Sequence, residues 1–366
     1  MSNESGVSAH IQSIRSVSHD KDPDGVCSAA IVCRYAKRKG LSYSVTLCDY
    51  GDLAETFAAL ATLRNTLLVV TDLGVDARSL PAVLEALRRA SSQGCMVAWF
   101  DHHQWPEKSI RGLLGLEKKP LLKLRQDMCA AEITHRVLMP DDEISRELAS
   151  VARDSDFNIR EFASSSALAD VISLLRFAAL ESKQDTTTVL TPLLQVLSDG
   201  GVAAVWDQTR MRLRDDLLEK RVQNYRRERN KKMRKALLGH QDLEIHGRLV
   251  RVVELPVGVT TTDMGVFASD PANLDLDGHR LSPADLLVTI SPGGTLGFRR
   301  AKDNVLCNEA ARLFNGGGHP YAAGGEYGMY SDFVAASTDI FSVLSQSKSW
   351  VVESPPHAET DGTDPQ

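Results

Sequence analysis

Asp101-His102-His103 follows directly on the apolar run 96–100, and two further acidic sets stand at matching points of the same pattern. His19, Asp22 and Asp24 come after the run 14–17, and Asp72 comes after the run 67–70. Four carboxylates crowded into one small crevice repel one another and lose hydration, which raises some of their pKa values and leaves the site poorly ionised. Bound cations remove that penalty. Oxygen ligands mixed with imidazole suit Mn²⁺, with Mg²⁺, Fe²⁺ or Co²⁺ as alternatives, and disfavour a thiolate-type zinc site. Alone, any one of these acids reads as a solvated turn residue or a helix cap; the set reads as a site.

The intervening segments show how such a set could be assembled. Helical patterns occupy 25–39, closed by Gly40, then 53–63, and 79–93, where Ser79 is the expected N-cap, Pro81 sits in the first turn and Gly94 ends the helix. Strands alternating with helices predict a parallel sheet with right-handed crossovers. Residues just past its strand ends meet in one crevice, which is where open α/β sheets bind ligands. A fourth element runs from 142 to 153 with Ile144, Leu148 and Val151 at helical spacing, and is expected to return Asp154 to that crevice.

Ser18-His19-Asp20-Lys21-Asp22-Pro23-Asp24-Gly25, the lone Asp72 of Val69-Val70-Thr71-Asp72, Asp101-His102-His103, and Asp154-Ser155-Asp156-Phe157 appear in that order. Downstream come Phe298-Arg299-Arg300, a helical stretch at 304–314, and Gly316-Gly317-Gly318-His319-Pro320-Tyr321-Ala322-Ala323-Gly324. Together these motifs resemble the DHH-family phosphoesterases that carry a C-terminal DHHA1 domain. The resemblance spans residues 18 to about 325. It implies an α/β fold: a doubly wound, mainly parallel N-terminal sheet over 1–200, a helical linker at 201–238, a smaller α/β DHHA1 domain at 239–352, and a disordered tail at 353–366 rich in Pro, Glu, Asp, Thr and Gly.

Carried over by motif, the resemblance implies two cations. His19, Asp22 and Asp72 would hold the first, and Asp24, Asp72, His102 and Asp154 the second, with Asp72 bridging. Asp101 would be an auxiliary ligand or stand just behind the ions, and His103 would contact the scissile phosphate or help protonate the leaving oxygen. Two residues, Asp20 and Lys21, separate His19 from Asp22 where many relatives have three, which allows Asp20 to share the role of His19. In the C-terminal half, Gly316, Gly317 and Gly318 could bring backbone N–H groups close to an anion, beside His319 and the phosphate-matching fork of Arg299. These are the expected substrate-binding residues.

Composition bounds the alternatives. The chain has 366 residues, enough for two domains. Its formal charge is −6, so no protein-wide basic field grips long nucleic acid. The cysteines at 27, 33, 48, 95, 129 and 307 form no C-x-x-C pair, which suits buried thiols in a reducing cytoplasm. Residues 1–10 carry no signal-peptide pattern and no window reaches 18 consecutive apolar residues, so no membrane association is expected. Residues 209–235 hold twelve Lys or Arg against four Asp or Glu and read as one long helix, either a nucleic-acid-facing bridge or a solvated linker. Trp206 and Tyr225 read as packing residues.

The expected activity is hydrolysis of short oligonucleotides or linear dinucleotides to mononucleotides, by water activated between two Mn²⁺ ions, with Mg²⁺ or Co²⁺ as substitutes. The expected partner is short RNA or a small nucleotide, and a homodimer is as much expected as a monomer. A cyclic-dinucleotide phosphodiesterase and a RecJ-like single-strand exonuclease are the alternatives. A non-catalytic nucleotide-binding protein is the reading from a different class.

Overall fold

The computed structural model describes residues 11–352, apart from 61 and 277. The expectations for 1–10 and for a tail at 353–366 lie outside the described residues. The chain divides into two compact units, residues 1–225 and 226–366.

The first unit winds β1 (Ser13–His19), α1 (Pro23–Arg38), β2 (Ser42–Cys48), α2 (Leu53–Leu60), β3 (Thr66–Thr71), α3 (Leu80–Ser92), β4 (Met96–Asp101), α4 (Glu107–Leu114) and β5 (Leu121–Leu124) into one sheet with its crossovers. Helices α5 (Ala130–Leu138), α6 (Glu143–Asp156), α7 (Ala163–Ser182) and α8 (Thr186–Gly200) follow. The sheet order is β2-β1-β3-β4-β5, and every pairing is parallel. The α/β, doubly wound reading therefore holds.

Side-chain alternation explains why helices cover both faces. Leu68, Val70 and Trp99 pack with Phe57 of α2 and with Val83 and Leu87 of α3. Val69, Ala98 and Phe100 face the opposite way, toward Val32 of α1 and Ile133 of α5. Strands β2 and β5 join the runs identified from sequence; the first carries a period-2 apolar pattern at Tyr43, Val45 and Leu47, and the second has only four residues. Helix α3 starts where expected, but Ser79 makes no capping bond. Its hydroxyl and amide turn back to the Asp76 carboxylate at 2.5 and 2.7 Å.

The span 201–238 runs across the unit boundary and is not helical throughout. It contains a hairpin of β6 (Trp206–Asp207) and β7 (Arg212–Leu213), then α9 (Asp216–Leu238), and the unit boundary falls within that helix. Trp206, Leu213 and Val222 are buried in the first unit's core, while Met233 and Leu237 belong to a core of the second. The helix thus has two apolar anchors, and the predicted start at 209 gives way to the hairpin. Helix α7 is long and apolar enough to cross a membrane by length and composition, with half of that stretch buried in its unit.

The second unit adds β8 (Gln241–Ile245), β9 (Arg248–Glu254), α10 (Thr261–Ser269), β10 (Asp275–Leu276), β11 (His279–Arg280), β12 (Leu286–Ile290), β13 (Thr295–Arg300), α11 (Cys307–Arg312), β14 (Gly317–Gly318), β15 (Ala322–Glu326) and α12 (Phe333–Ser345). Its main sheet runs β14-β15-β13-β12-β9-β8 and is antiparallel except for β9 with β12. Residues of α11 and α12 pack in one of its cores, and those of α9 and α10 in the other. All six cysteines are buried and unbridged.

One polar tie closes the first unit's helical layer. Asp142, with its side chain 5% exposed, caps α6 at Ser145 N and accepts from Arg34 of α1 at 2.6 and 3.0 Å. Arg34 and the Ser145 donors hold its carboxyl well below the usual range. Its stabilising contribution is therefore complete above about pH 4 and is lost as acid protonates the folded carboxylate. Asp142→Ala should cost about 3 kcal/mol at pH 7 in urea unfolding followed by tryptophan fluorescence. The gap from wild type should shrink as pH falls toward 2; a gap independent of pH would rule out the ion pair as its cause.

Candidate metal centre

The strand order reverses between β1 and β3, so their crossovers leave in opposite directions and open a crevice at the carboxyl ends. Ser18 pairs with Thr71 and Thr71 with Phe100, which brings His19, Asp72 and Asp101 to the same sheet edge, each beside the next. The Ser18 hydroxyl holds this edge, donating to Gly25 O at 2.6 Å and lying 2.7 Å from Thr71 Oγ1. Glycine is required at 25, because a Cβ there would lie 2.2 Å from His19 O.

Asp72 is the hub. Its backbone is left-handed, with φ 56°, a conformation Asp tolerates better than most residues. Its carboxylate spans the crevice: Oδ2 lies 3.4 Å from His19 Nδ1, and Oδ1 lies 3.4 Å from His102 Nε2. Ligand-capable atoms gather in two sets around it, each within 4.8 Å: His19, Asp22 and Asp72 on one side, and Asp24, His102 and Asp156 on the other. A third such set, Asp72 with Asp101, His102 and His103, overlaps both.

Asp22, Asp24 and Asp101 are positioned by backbone or side-chain donors. Asp22 caps α1 at the amides of Asp24 and Gly25. Asp24, fully buried, accepts from Ala130 N at 2.8 Å and Ala131 N at 2.7 Å, at the start of α5. Asp101, also fully buried, accepts from Trp105 Nε1 at 2.5 Å and bonds His103 Nδ1 at 2.8 Å. It therefore orients His103. Sequence reasoning missed Tyr50, whose hydroxyl lies 3.2 Å from His103 Nε2 and whose ring centroid is 5.1 Å from that of His19.

Asp154 is not among the gathered residues. Its carboxylate accepts from Glu161 N at 2.7 Å, Phe162 N at 3.3 Å and the Ser165 hydroxyl, holding the start of α7. Asp156 stands in the cluster instead, 3.6 Å from His102 Nδ1. The cause is helical phase. Helix α6 continues to Asp156 rather than stopping near 153, and residues two apart lie about 200° apart around a helix. Only one of them can face the crevice. Asp20 also turns away, to Arg176 Nε at 3.0 Å.

The electrostatics of the cluster fit bound cations. Burial and the neighbouring Asp72 and Asp156 carboxylates push Asp24 well above the ordinary carboxylate range, and burial pushes Asp156 up to about 6. Burial works to lower His102, yet Asp72, Asp156 and Asp24 carry it up to about 11. His19 is likewise raised against burial, by Asp22, Asp49 and Asp72. Protons thus neutralise the clustered charge where cations could. Both ring nitrogens of His19, Oδ2 of Asp72 and Oδ2 of Asp156 are buried without a hydrogen-bond partner, as a ligand set requires. Oxygen and imidazole donors, with buried thiols elsewhere, match hard divalent ions.

Residues 14–153 match the DHH family, N-terminal domain. The first unit carries a DHH-family domain. By structure the chain is similar to RecJ of Thermus thermophilus in complex with Mn²⁺, at 18% identity and a TM-score of 0.56, over 93% of this chain and 53% of that one. The chain thus spans about half the length of that RecJ. An exopolyphosphatase-related protein from Bacteroides fragilis gives 13% identity and a TM-score of 0.51, over 94% and 98% of the two chains. The pGpG-specific phosphodiesterase PggH from Vibrio cholerae gives 12% and 0.50, over 91% and 98%. At these identities the likeness is one of fold. No curated protein sequence matches the chain.

In the second unit the strand register puts Arg299 opposite Ala322, with Gly318 paired to the adjacent Ala323. Arg299 and the glycine run therefore share one end of that sheet. The Arg299 side chain crosses Gly265 of α10, where a Cβ would come within 2.8 Å of its Cγ, and donates to Thr262 Oγ1 at 2.8 Å. Glycine is needed at 316 and 318 by close packing against the backbone of 322–325, whereas 317 faces open space. The amides of Gly316 and His319 already donate to Ala311 O and Ala322 O. The run is an edge strand, with fewer amides to offer an anion than its sequence suggests.

The phase of α6 makes a discriminating prediction. Asp156→Ala should remove one class of Mn²⁺ binding in calorimetric titration. Asp154→Asn should keep both classes while lowering stability by about 2 kcal/mol through its lost charged acceptor. Loss of Mn²⁺ binding in Asp154→Asn alone would reverse the assignment.

Proposed function

We propose that this protein is a metal-dependent phosphodiesterase that hydrolyses short oligonucleotides or linear dinucleotides to mononucleotides, in the cytoplasm. The observation that carries the reading is the pair of ligand sets on either side of Asp72, whose two carboxylate oxygens approach His19 and His102, in a DHH-family domain. His19, Asp22 and Asp72 would hold one cation, and Asp24, Asp72, His102 and Asp156 the other, with Mn²⁺ preferred. Cations held there would supply a water of lowered pKa and charge stabilisation for the attacking and leaving oxygens.

The protein's own groups do the remaining work. Asp72 turns one oxygen toward His19 and the other toward His102, so it would serve both ligand sets. His103, aligned by Asp101 and flanked by the Tyr50 hydroxyl, is placed to meet a phosphoryl oxygen or to protonate the leaving oxygen. Burial of Asp24, Asp72 and Asp101 strengthens each of these interactions by excluding water. We read the second unit as a DHHA1-type substrate-binding domain in which Arg299, His319 and the exposed Gly317 and Gly318 hold a phosphate group. A fold shared with a phosphodiesterase specific for the linear dinucleotide pGpG supports a short, linear substrate.

Purified protein with Mn²⁺ should degrade labelled two- to five-nucleotide RNA faster than a cyclic dinucleotide or a long single strand. Faster opening of the cyclic substrate, or processive loss of long strands, would replace this assignment. Arg299→Ala should raise KM for a dinucleotide with kcat nearly unchanged, as expected of a contact made equally in ground and transition states. A loss confined to kcat would deny Arg299 that binding role.

A further inference from the structure

The imidazole of His19 is held from a side that the sequence motifs do not mention. Its Nδ1 faces the crevice, 3.5 Å from Asp22 and 3.4 Å from Asp72. Its Nε2 faces away, 3.7 Å from Oδ1 of Asp49, the residue just past the end of β2. A histidine that gives one ring nitrogen to a cation carries its proton on the other, and the group accepting that N–H decides which tautomer is present. Here no hydrogen-bond acceptor is seated on either ring nitrogen, and the nearest carboxylate on the Nε2 side belongs to Asp49.

Asp49 is itself firmly placed. Oδ1 accepts from Tyr50 N at 2.8 Å, while Oδ2 lies 2.6 Å from Lys21 Nζ and 3.4 Å from Arg176 Nη2. Arg176, reaching in from α7 with its side chain 14% exposed, also pairs with Asp20. The two residues between His19 and Asp22 are thereby tied down: Asp20 to Arg176, and Lys21 to Asp49. The carboxylate keeps its charge balanced by Lys21 and Arg176 while presenting an oxygen to His19. Loops from β1 and β2 and a side chain of α7 converge on this one group.

We infer that Asp49 is a positioning residue for His19, accepting its Nε2–H so that the Nδ1 lone pair faces the cation shared with Asp22 and Asp72. This inference rests on the two-cation reading above. At 3.7 Å the Nε2–Oδ1 separation is longer than a hydrogen bond, so the proposed contact requires the imidazole to move toward Asp49. The Tyr50 turn, which Asp49 also caps, would then tighten against the same imidazole.

Calorimetric Mn²⁺ titration of the metal-stripped protein tests it without recourse to activity. Asp49→Ala should weaken the His19-containing site about 10–100-fold and leave the Asp24–His102–Asp156 site unchanged. Asp49→Asn, whose side-chain oxygen can still accept the N–H, should recover part of the loss. In the metal-free protein, nitrogen NMR should show the Nε2–H form of His19 in wild type, once alkaline pH has removed the second proton, and a mixture of tautomers in Asp49→Ala. Wild-type affinity at both sites in Asp49→Ala would sink the role of Asp49. So would equal weakening of both sites with no rescue by Asn, which marks a structural cap only. If wild-type protein binds no Mn²⁺ at all, the two-cation reading fails instead, a result distinct from either.

Discussion

Burying carboxylates within a few ångströms of one another is the constraint on which the N-terminal unit depends. Asp24, Asp72 and Asp101 are almost completely shielded from water, and Asp72 stands at their centre with one oxygen toward each of His19 and His102. Such charges cannot remain ionised together without compensation. The fold supplies it from three sources: imidazoles, backbone amides at helix starts, and positions suited to divalent ions. The left-handed backbone at Asp72 belongs to the same constraint, since an unusual φ for a non-glycine residue persists only where surrounding structure holds it.

The same chemistry serves two purposes in this crevice. A carboxylate that meets free amides at the start of a helix stabilises that helix, and one that meets other ligand atoms can take a cation. Asp154 does the first for α7, and Asp156 stands in the second arrangement. Asp24 does both, holding the first amides of α5 with its oxygens while facing His102. Helix starts and ligand sets are therefore built from shared parts, and the helical layer cannot shift without moving the site.

Much of the fold and most of the site could be read from the chain alone. Apolar runs ending in acids or histidines marked β1, β3 and β4, and parallel winding requires such ends to meet. That is why His19, Asp22, Asp24, Asp72, Asp101, His102 and His103 were identifiable, although they come from separate segments. The misses share a cause. Ser79 had the right type and place for a cap but found a nearer partner in Asp76. Gly316 and Gly318 announced a need for glycine, and close packing against the backbone of 322–325 imposes it, which the run by itself does not encode. Residues 209–215 read as the start of a long helix, yet the chain there forms a hairpin held by burial of Trp206 and Leu213 in the first core.

By itself, then, the sequence determined the α/β alternation, the edge at which the acids collect and the donor chemistry suited to hard cations. These follow from local patterns of period, turn and residue type, which survive without knowledge of long-range contacts. Tertiary structure alone decided which of Asp154 and Asp156 faces the crevice, and that Asp49 and Tyr50 lie against His19 while Arg176 pairs with Asp49. A helix's facing residue depends on where it ends and what it packs against. Neighbours from β2 and α7 reach β1 only through packing, so no spacing along the chain encodes them.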